Sequence, residues 1–181
     1  MSDSRPDLID RRRALVALYD SVLPEVYGYL VSRCGSASLA EDLTSETFLA
    51  AVDAVRRDAV ADLTPAWLMG VARHKLVDHW RRREREDRAL RAVDGDPLVD
   101  PVDDTWDVRL DAVVAHRALA ALGAHHRGAL TLRYLDGLPV REVAATLGRT
   151  EGATEVLLVR ARAAFRAVYE HEQTGHGEEE R

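Results

Sequence analysis

Residues 40–48 read Ala-Glu-Asp-Leu-Thr-Ser-Glu-Thr-Phe, and this pattern indicates an amphipathic helix. Asp42, Ser45 and Glu46 share one polar edge of that helix. Ser38 and Glu41 have the spacing of a capping box, so we expect the helix to begin near Ser38. The apolar and small side chains recur at steps of three and four residues, which places them on a buried face. They are Leu43, Thr47, Phe48, Ala51 and Val55.

Helical patterns also flank this segment. Before it, an apolar stripe runs from Leu15 to Leu30, with an interruption or kink expected at Pro24 and an end at Gly35. After it, Thr64-Pro65 has the chemistry of an N-cap followed by a first-turn proline, which predicts the start of a third helix. Residues 57–63 then form a loop. We expect the third helix to bury Trp67, Leu68, Val71, Ala72 and Leu76.

The C-terminal half contains the pattern of a helix-turn-helix. A short helix is predicted from Pro139 to Leu147, and a longer one from Glu151 to about Tyr169 with Thr150 as its cap. The small Ala144 allows the two helices to cross closely, and Gly148 permits the sharp turn between them. An ordinary helical hairpin is the alternative interpretation. The helices before this unit are predicted to bury Leu110, Val113, Val114, Leu119, Leu122, Leu130, Leu132 and Leu135.

Composition agrees with an all-α fold. Of the 181 residues, 46% are hydrophobic, which is enough for one medium domain or two small ones. Between residues 94 and 104, two prolines, one glycine and no sustained apolar period indicate a linker. We therefore expect two small helical domains, at residues 10–92 and 107–171. An acidic flexible linker at residues 93–106 joins them, and a mobile tail follows at residues 172–181.

Charge is distributed unevenly along the chain. The formal net charge of −6 argues against bulk electrostatic binding to nucleic acid, because such affinity comes from phosphates neutralised by Lys and Arg. Eight basic residues nevertheless lie between Arg73 and Arg91, and seven aspartates lie between Asp94 and Asp111. The run Arg81-Arg82-Arg83 can follow a DNA backbone, or it can be ordinary solvated surface. If the protein binds DNA, we expect a partner to supply part of the affinity.

The sequence indicates no catalytic, metal or membrane function. Cys34 is the only cysteine, which rules out an internal disulfide, and we find neither a signal peptide nor an apolar run of roughly 18 residues. His125 and His126 are adjacent and point apart on a helix, while His74 and His79 lack a nearby thiol. Phosphate-binding glycine loops and paired-carboxylate motifs are missing from the sequence. We expect a cytoplasmic protein with no metal, no cofactor and no enzymatic activity.

The second helix of the helix-turn-helix is unusual because its first turns are acidic and apolar. Glu155 can accept a hydrogen bond from cytosine N4, and Val156 or Val159 can pack on a thymine methyl group. Contact with protein is the alternative for all three side chains. Phosphate contacts are predicted for Arg149, Arg160 and Arg162.

Together these motifs resemble the extracytoplasmic-function (ECF) sigma factors, which are small promoter-specificity subunits of bacterial RNA polymerase. Residues 42–48, with Trp67-Leu68, Val71-Ala72-Arg73 and Asp78, resemble region 2 of that family. The four C-terminal helices resemble region 4. The resemblance covers nearly the whole chain, and it implies a factor that binds core polymerase and selects promoters.

The resemblance implies a set of polymerase-binding residues and several partners. In the family, the second helix docks on the clamp of the largest polymerase subunit, which corresponds here to Asp42, Ser45 and Glu46. Many family members carry glutamine at the position of Ser45. The flap of the second-largest subunit, promoter DNA and an anti-sigma factor are the other implied partners. The acidic linker, by the same analogy, threads toward the RNA exit path; a plain soluble spacer is the alternative.

The resemblance also implies two DNA-binding surfaces. In the family, the loop corresponding to residues 58–64 and the helix after it hold a base extruded from the −10 element, which favours strand opening. The implied −10 contacts are Asp58, Asp62, Thr64, Trp67, His74, Lys75, His79, Arg81, Arg82 and Arg83. The implied −35 contacts are Arg149, Thr150, Thr154, Glu155, Val156, Val159, Arg160 and Arg162. Family members are often basic or polar where residues 155–159 stand.

Two other interpretations stay open at this point. A conventional helix-turn-helix regulator would bind operator DNA without polymerase, and the C-terminal half alone would suffice for it. That interpretation leaves residues 42–48 unexplained. A sigma-like interaction module would turn residues 156–159 toward a protein partner, and it would bind polymerase or that partner without promoter-dependent transcription.

Overall fold

The computed structural model describes residues 8–60, 62–90 and 111–179. Within those ranges every regular element is helical, which confirms the all-α prediction. The helices are α1 (Leu8–Cys34), α2 (Ala37–Arg56), α3 (Pro65–Leu90), α4 (Ala112–Ala121), α5 (Ala124–Leu130), α6 (Val140–Leu147) and α7 (Glu151–Glu179). A short π-helical turn, Thr131–Leu135, follows α5.

The chain divides into two compact units, Met1–Asp78 and His79–Arg181. The division falls inside α3, so the last turns of that helix belong to the second unit. The predicted linker at residues 93–106 lies outside the described residues. The predicted domain bounds at residues 92 and 107 therefore stay a prediction.

The core of the first unit is built by the apolar faces of α1, α2 and the first turns of α3. Phe48 packs edge to face against Tyr19, with 4.6 Å between the ring centroids. Thr44 and Thr47 are buried polar residues whose hydroxyls donate to the carbonyls of Ala40 and Leu43, so their burial leaves no unpaired group. The fully buried side chains of this core include Val26, Leu30, Leu43, Leu68 and Leu76.

Two local predictions about the first unit differ from the structure. The expected interruption of α1 at Pro24 is wrong, because α1 continues through that exposed residue, and a kink there stays a prediction. Helix α2 begins at Ala37 with Ser36, not Ser38, as its N-cap. Gly35 has a φ of 67°, which ends α1 and leads directly to the extended backbone of Ser36.

The start of the third helix is as predicted. The backbone N–H of Trp67 donates to Thr64 Oγ1 at 3.1 Å, and Pro65 is the first helical residue. Leu68, Ala72 and Leu76 are buried as expected, whereas Trp67 is only half-buried.

The second unit is organised around α7, which packs against α4, α5 and α6. Tyr169 is buried, and its hydroxyl accepts a hydrogen bond from the backbone N–H of Asp111 at 2.8 Å. The Asp111 carboxylate in turn caps α4 by accepting from two backbone N–H groups. Val113 and Leu135 were predicted to be buried but are 60% and 56% exposed. On α4, the face that packs against Tyr169 of α7 carries Val114 and Ala118 instead of Val113.

The helix-turn-helix has the predicted boundaries. Gly148 ends α6 with a φ of 60°, and Thr150 Oγ1 accepts from the backbone N–H of Ala153 at the start of α7. Ala144 is buried, as the close crossing of the two helices requires.

The described part of the predicted tail, residues 172–179, is helical, whereas its mobility stays a prediction. Helix α7 continues to Glu179, well beyond the expected end near Tyr169. Once a helix is nucleated by packed residues, each added residue costs little, so a polar extension can stay helical. The Thr174 hydroxyl donates to the carbonyls of Glu170 and His171 within this extension.

Gly148→Ala should destabilise the second unit by about 1 kcal/mol or more, because an L-residue resists the left-handed backbone found there. The measurement is denaturant unfolding followed by circular dichroism. Gly28→Ala is the control, since Gly28 lies in α1 without positive φ and with open space around its Cβ position. That variant should gain up to about 1 kcal/mol. Equal stability of Gly148→Ala and wild type would contradict the prediction.

Candidate nucleic-acid interface

The polar edge of α2 is solvent-accessible. Asp42 and Ser45 are exposed, and Glu46, one turn beyond Asp42, is half-buried. Glu46 Oε2 lies 3.1 Å from Lys75 Nζ on α3, and the two side chains are 42% and 34% exposed. The sequence had assigned Glu46 to polymerase binding and Lys75 to DNA binding, but the structure joins them in one ion pair. Residues this far apart in sequence give no local signal of such a contact.

The loop after α2 has an unusual backbone at its first residue. Asp58 has a φ of 53°, a conformation that non-glycine residues seldom adopt. Backbone hydrogen bonds from Asp58 and Ala59 to Val55 and Ala54 close the end of α2. Asp62 and Thr64 are exposed, although the Thr64 hydroxyl already caps α3. Two exposed polar residues of this loop, Asp62 and Thr64, thus precede the half-buried Trp67 in the sequence.

One face of α3 in the first unit carries basic side chains. His74 is exposed, and Arg73 is half-buried with its guanidinium carbon 5.9 Å from the Tyr29 ring centroid. Arg33 lies over the same ring at 4.1 Å. The sequence pattern placed Tyr29 on the apolar stripe of the first helix but did not indicate its contact with arginines. The cation–π contact of Arg73 with Tyr29 joins α3 to α1 and helps to hold Arg73 on this face.

The basic run at residues 81–83, in the second half of α3, contains one partnered arginine and two exposed ones. Arg82 and Arg83 are exposed, as DNA contacts would need. Arg81 is half-buried and donates from Nη2 to the carbonyl oxygen of Leu147 at 2.8 Å, within the second unit. Trp80 beside it is only 7% exposed, and the Arg127 guanidinium lies 4.3 Å from its ring centroid. Arg81 therefore has a structural contact that its place in the basic run did not predict.

His79 completes this group of predicted −10 residues. It is half-buried, and its Nδ1 lies 3.5 Å from Arg82 Nη2. At that distance the contact is at the limit of a hydrogen bond, so it restrains Arg82 only weakly.

The start of α7 presents a subset of the predicted −35 residues. Arg149, Thr150, Glu155, Val156 and Arg160 are exposed, and Val159 is half-buried. Thr154 is fully buried, which corrects its assignment as a DNA contact. Its hydroxyl donates to the Thr150 carbonyl at 2.9 Å, so this side chain supports the start of the helix instead.

Arg162 also has a partner within the second unit. Its Nη1 donates to the hydroxyl of Tyr134 at 3.2 Å, which connects α7 to the π-helical turn. Tyr134 and Leu135 are large apolar residues that are 54% and 56% exposed. Sequence reasoning missed Tyr134, because a side chain on a π-turn points away from the direction that helical periodicity assigns. In the described part of the chain, no helix meets the length and apolarity that a bilayer span requires.

Comparisons with known proteins match both halves of the chain. A family model described as Sigma-70 region 2 matches residues 18–86, and one described as Sigma-70, region 4 matches residues 113–165. The ECF RNA polymerase sigma factor SigC of Mycobacterium tuberculosis is 32% identical over 155 residues, covering 86% of this chain and 83% of that protein. SigF of Caulobacter vibrioides is 39% identical over 131 residues, covering 70% and 69%.

Two further similarities are more limited. The ECF RNA polymerase sigma factor BldN of Streptomyces coelicolor is 32% identical over 163 residues, but the chain spans only 62% of its length. The sigma factor RpoE of Bartonella quintana, solved with the anti-sigma factor NepR, matches with a TM-score of 0.54 and 24% identity. That match covers 84% of this chain and 94% of the solved one, and it supports the fold alone.

The Glu46–Lys75 ion pair should have a measurable coupling energy of about 0.2–1 kcal/mol, the range of partly exposed pairs. Glu46→Lys and Lys75→Glu should each destabilise the protein, and the double exchange should restore part of the loss. Urea unfolding of all four proteins gives the coupling. The Asp53–Arg57 pair is the control, because it is longer at 3.8 Å and more exposed, and should couple less. Strict additivity at residues 46 and 75 would refute the contact.

Proposed function

This chain belongs to the ECF group of RNA polymerase sigma factors within the sigma-70 family, and we propose that it directs core polymerase to particular promoters and helps to open them. The observation that supports this function best is the presence of both region 2 and region 4 in one chain. A conventional helix-turn-helix regulator needs only the second of these. The net charge of −6 agrees with a factor whose DNA affinity depends on polymerase.

Core polymerase binds the polar edge of α2 in this proposal. Asp42 and Ser45 are exposed and ready for contact with a basic surface, which by family resemblance is the clamp of the largest subunit. Glu46 belongs to the same edge but is already paired with Lys75. Polymerase can therefore engage the Glu46 carboxylate in one of two ways. The carboxylate either contacts polymerase while it stays paired with Lys75, or it leaves Lys75 to bind polymerase.

The −10 element binds the loop at residues 58–64 and the adjacent face of α3. Polar groups of the loop and the edge of Trp67 provide a place for an unpaired base. Basic side chains nearby neutralise phosphates, which lowers the cost of holding a separated strand. The exposed candidates for that role are His74, Arg82 and Arg83, while Lys75 contributes when it leaves Glu46.

The −35 element binds the start of α7 in the major groove. The two exposed arginines, Arg149 and Arg160, contact phosphates and set the register of the helix on the duplex. Glu155 and Val156 face the bases. The hydrogen bond from Arg162 to Tyr134 stabilises the position of α7 within the second unit.

Two further contacts follow from the family. A flap element of the second-largest polymerase subunit is proposed to bind the second unit, where Tyr134 and Leu135 expose apolar surface. An anti-sigma factor is a further proposed partner, because the solved Bartonella quintana relative is a complex with one. Promoter recognition takes place in the cytoplasm and requires no catalytic residue from this chain.

Asp42→Arg should weaken binding to core polymerase by about tenfold or more, because it reverses the charge of an exposed docking residue. This substitution is cleaner than one at Glu46, which would also break the ion pair with Lys75. Fluorescence anisotropy with labelled protein measures the affinity. Asp20→Arg is the control, because Asp20 is exposed on α1 and its substitution changes the charge by the same amount. Unchanged affinity of Asp42→Arg would remove α2 from the docking surface.

In vitro transcription with this protein, core bacterial RNA polymerase and a library of promoter fragments tests the function as a whole. Transcripts that share −10 and −35 motifs, with weak gel-shift binding by the protein alone, are expected. Tight duplex binding without polymerase and no transcripts would identify a conventional regulator. Polymerase binding without transcripts would identify an interaction module.

A further inference from the structure

We propose that the first turns of α7 read a cytosine and the thymine next to it, with Glu155 accepting from the cytosine N4 amino group and Val156 packing on the thymine methyl. Gly152 lets the DNA approach the helix closely enough for both contacts. This inference rests on the proposed function, which places α7 in the major groove of the −35 element. It adds the identity of the bases and the residues that select them.

The rotation of α7 about its own axis leaves one face open to DNA. Gly152, Glu155 and Val156 are exposed, and they lie at positions i, i+3 and i+4 of one helical face. Their neighbours on the opposite face are buried in the second unit. The buried residues are Thr154, Leu157, Leu158 and Ala161. Rotating α7 about its axis to expose other residues would therefore remove these four side chains from the core.

Glu155 has no partner in the parts of the chain that the structure describes. A carboxylate can only accept hydrogen bonds, so a ligand that displaces the water around exposed Glu155 must offer it a donor. In the major groove, guanine presents only acceptors, and adenine places its N7 acceptor beside its amino donor. Cytosine presents the N4 amino donor without an adjacent acceptor, so it fits an unpaired carboxylate best. Phosphates would repel the same group, which places Glu155 toward the bases and not toward the backbone.

Val156 is an apolar side chain that is 53% exposed. The only apolar group on a base edge in the major groove is the thymine C5-methyl. Glu155 and Val156 are successive residues on the open side of α7 and point about 100° apart around the helix axis, so their contacts fall on neighbouring base pairs. Burial of the valine against that methyl group explains why an apolar residue stands on an otherwise exposed face.

Among the described residues, nothing requires a glycine at position 152. Its φ is not positive, and an added Cβ would meet nothing within 4 Å. A helix that contains glycine is less stable than the same helix with alanine at that position. Gly152 therefore weakens α7 without a compensating contact. Close approach by a ligand is the remaining reason for a missing side chain. Gly152 lies one turn before Val156, where the groove edge would come nearest to the helix.

The arginines on either side of this face complete the arrangement. Arg149 precedes the helix and Arg160 lies one turn beyond Val156, and both are exposed. Placed on phosphates, they offset the repulsion between the DNA backbone and the carboxylates of Glu151 and Glu155. The acidic residues then lie between two basic anchors, toward the floor of the groove.

The test is a selection from promoter DNA with a randomised −35 element, using the full chain bound to core polymerase. Wild type should enrich a cytosine followed or preceded by thymine. Glu155→Gln should shift the preference at the cytosine position to adenine by about tenfold, because glutamine pairs with both polar groups of adenine. Val156→Ala should reduce the preference for thymine several-fold. Glu170→Gln is the control, because it removes the same charge from an exposed position farther along α7.

A second measurement distinguishes a role of Gly152 in DNA binding from a purely structural role. Gly152→Ala should raise the melting temperature by about a degree or more while weakening binding to the selected promoter about tenfold. Gly28→Ala should raise the melting temperature without a change in promoter binding. Unchanged promoter affinity in Gly152→Ala would reject the close approach of DNA at this position.

The outcomes distinguish this inference from the function on which it rests. If wild type selects a −35 motif but Glu155→Gln selects the same bases, the function stands and the assignment of Glu155 is overturned. A wild-type motif without cytosine next to thymine also overturns the inference alone. If wild type selects no −35 motif and gives no transcripts, both the function and the inference fail.

Discussion

The packing of one face of α7 against α4, α5 and α6 determines what the second unit can present to a ligand. Leu157, Leu158 and Ala161 bury that face near the start of the helix, and Tyr169 buries it farther along. Since a helix with a packed face cannot rotate freely, the residues on the other side are fixed as surface. Every contact that we assign to the recognition helix depends on this constraint.

The surface of the first unit depends on an electrostatic contact. The core of this unit is apolar, and the buried threonine hydroxyls are hydrogen-bonded. At the surface, a residue assigned to polymerase binding and one assigned to the −10 element form the ion pair between Glu46 and Lys75. Pairs of this exposure add little to stability, so the bond is easily exchanged for contacts with a partner. The docking edge of α2 and the basic face of α3 therefore share one electrostatic environment.

Local chemistry was a good guide wherever a single residue type decides the backbone. The turn at Gly148 and the caps at Thr64 and Thr150 could be predicted, because each position needs a particular conformation or acceptor. Ser36 and Ser38 are both able to cap a helix, so the choice between them depended on where Gly35 turned the chain. Pattern alone could not resolve two equivalent candidates so close together.

Predictions that involve distant residues were less successful for a physical reason. The contacts of Arg81 with Leu147 and of Lys75 with Glu46 join segments far apart in sequence, and periodicity contains no information about them. Thr154 looked like a polar surface residue, yet its hydroxyl finds a backbone acceptor one turn earlier and can be buried. The exposure of Val113 could not be predicted either, because it depends on which face of α4 packs against α7, and these two helices are far apart in the sequence.

The division of tasks along α7 has an evolutionary consequence. Thr150 and Thr154 stabilise the start of the helix, and the core residues hold it in place, so none of them is needed to discriminate among DNA sequences. Gly152, Glu155 and Val156 are exposed, and among the described residues an added Cβ at Gly152 would meet nothing within 4 Å. Mutations at these three positions can accumulate without loss of folding. Duplicated copies of such a gene could therefore diverge to control separate sets of genes through very few substitutions.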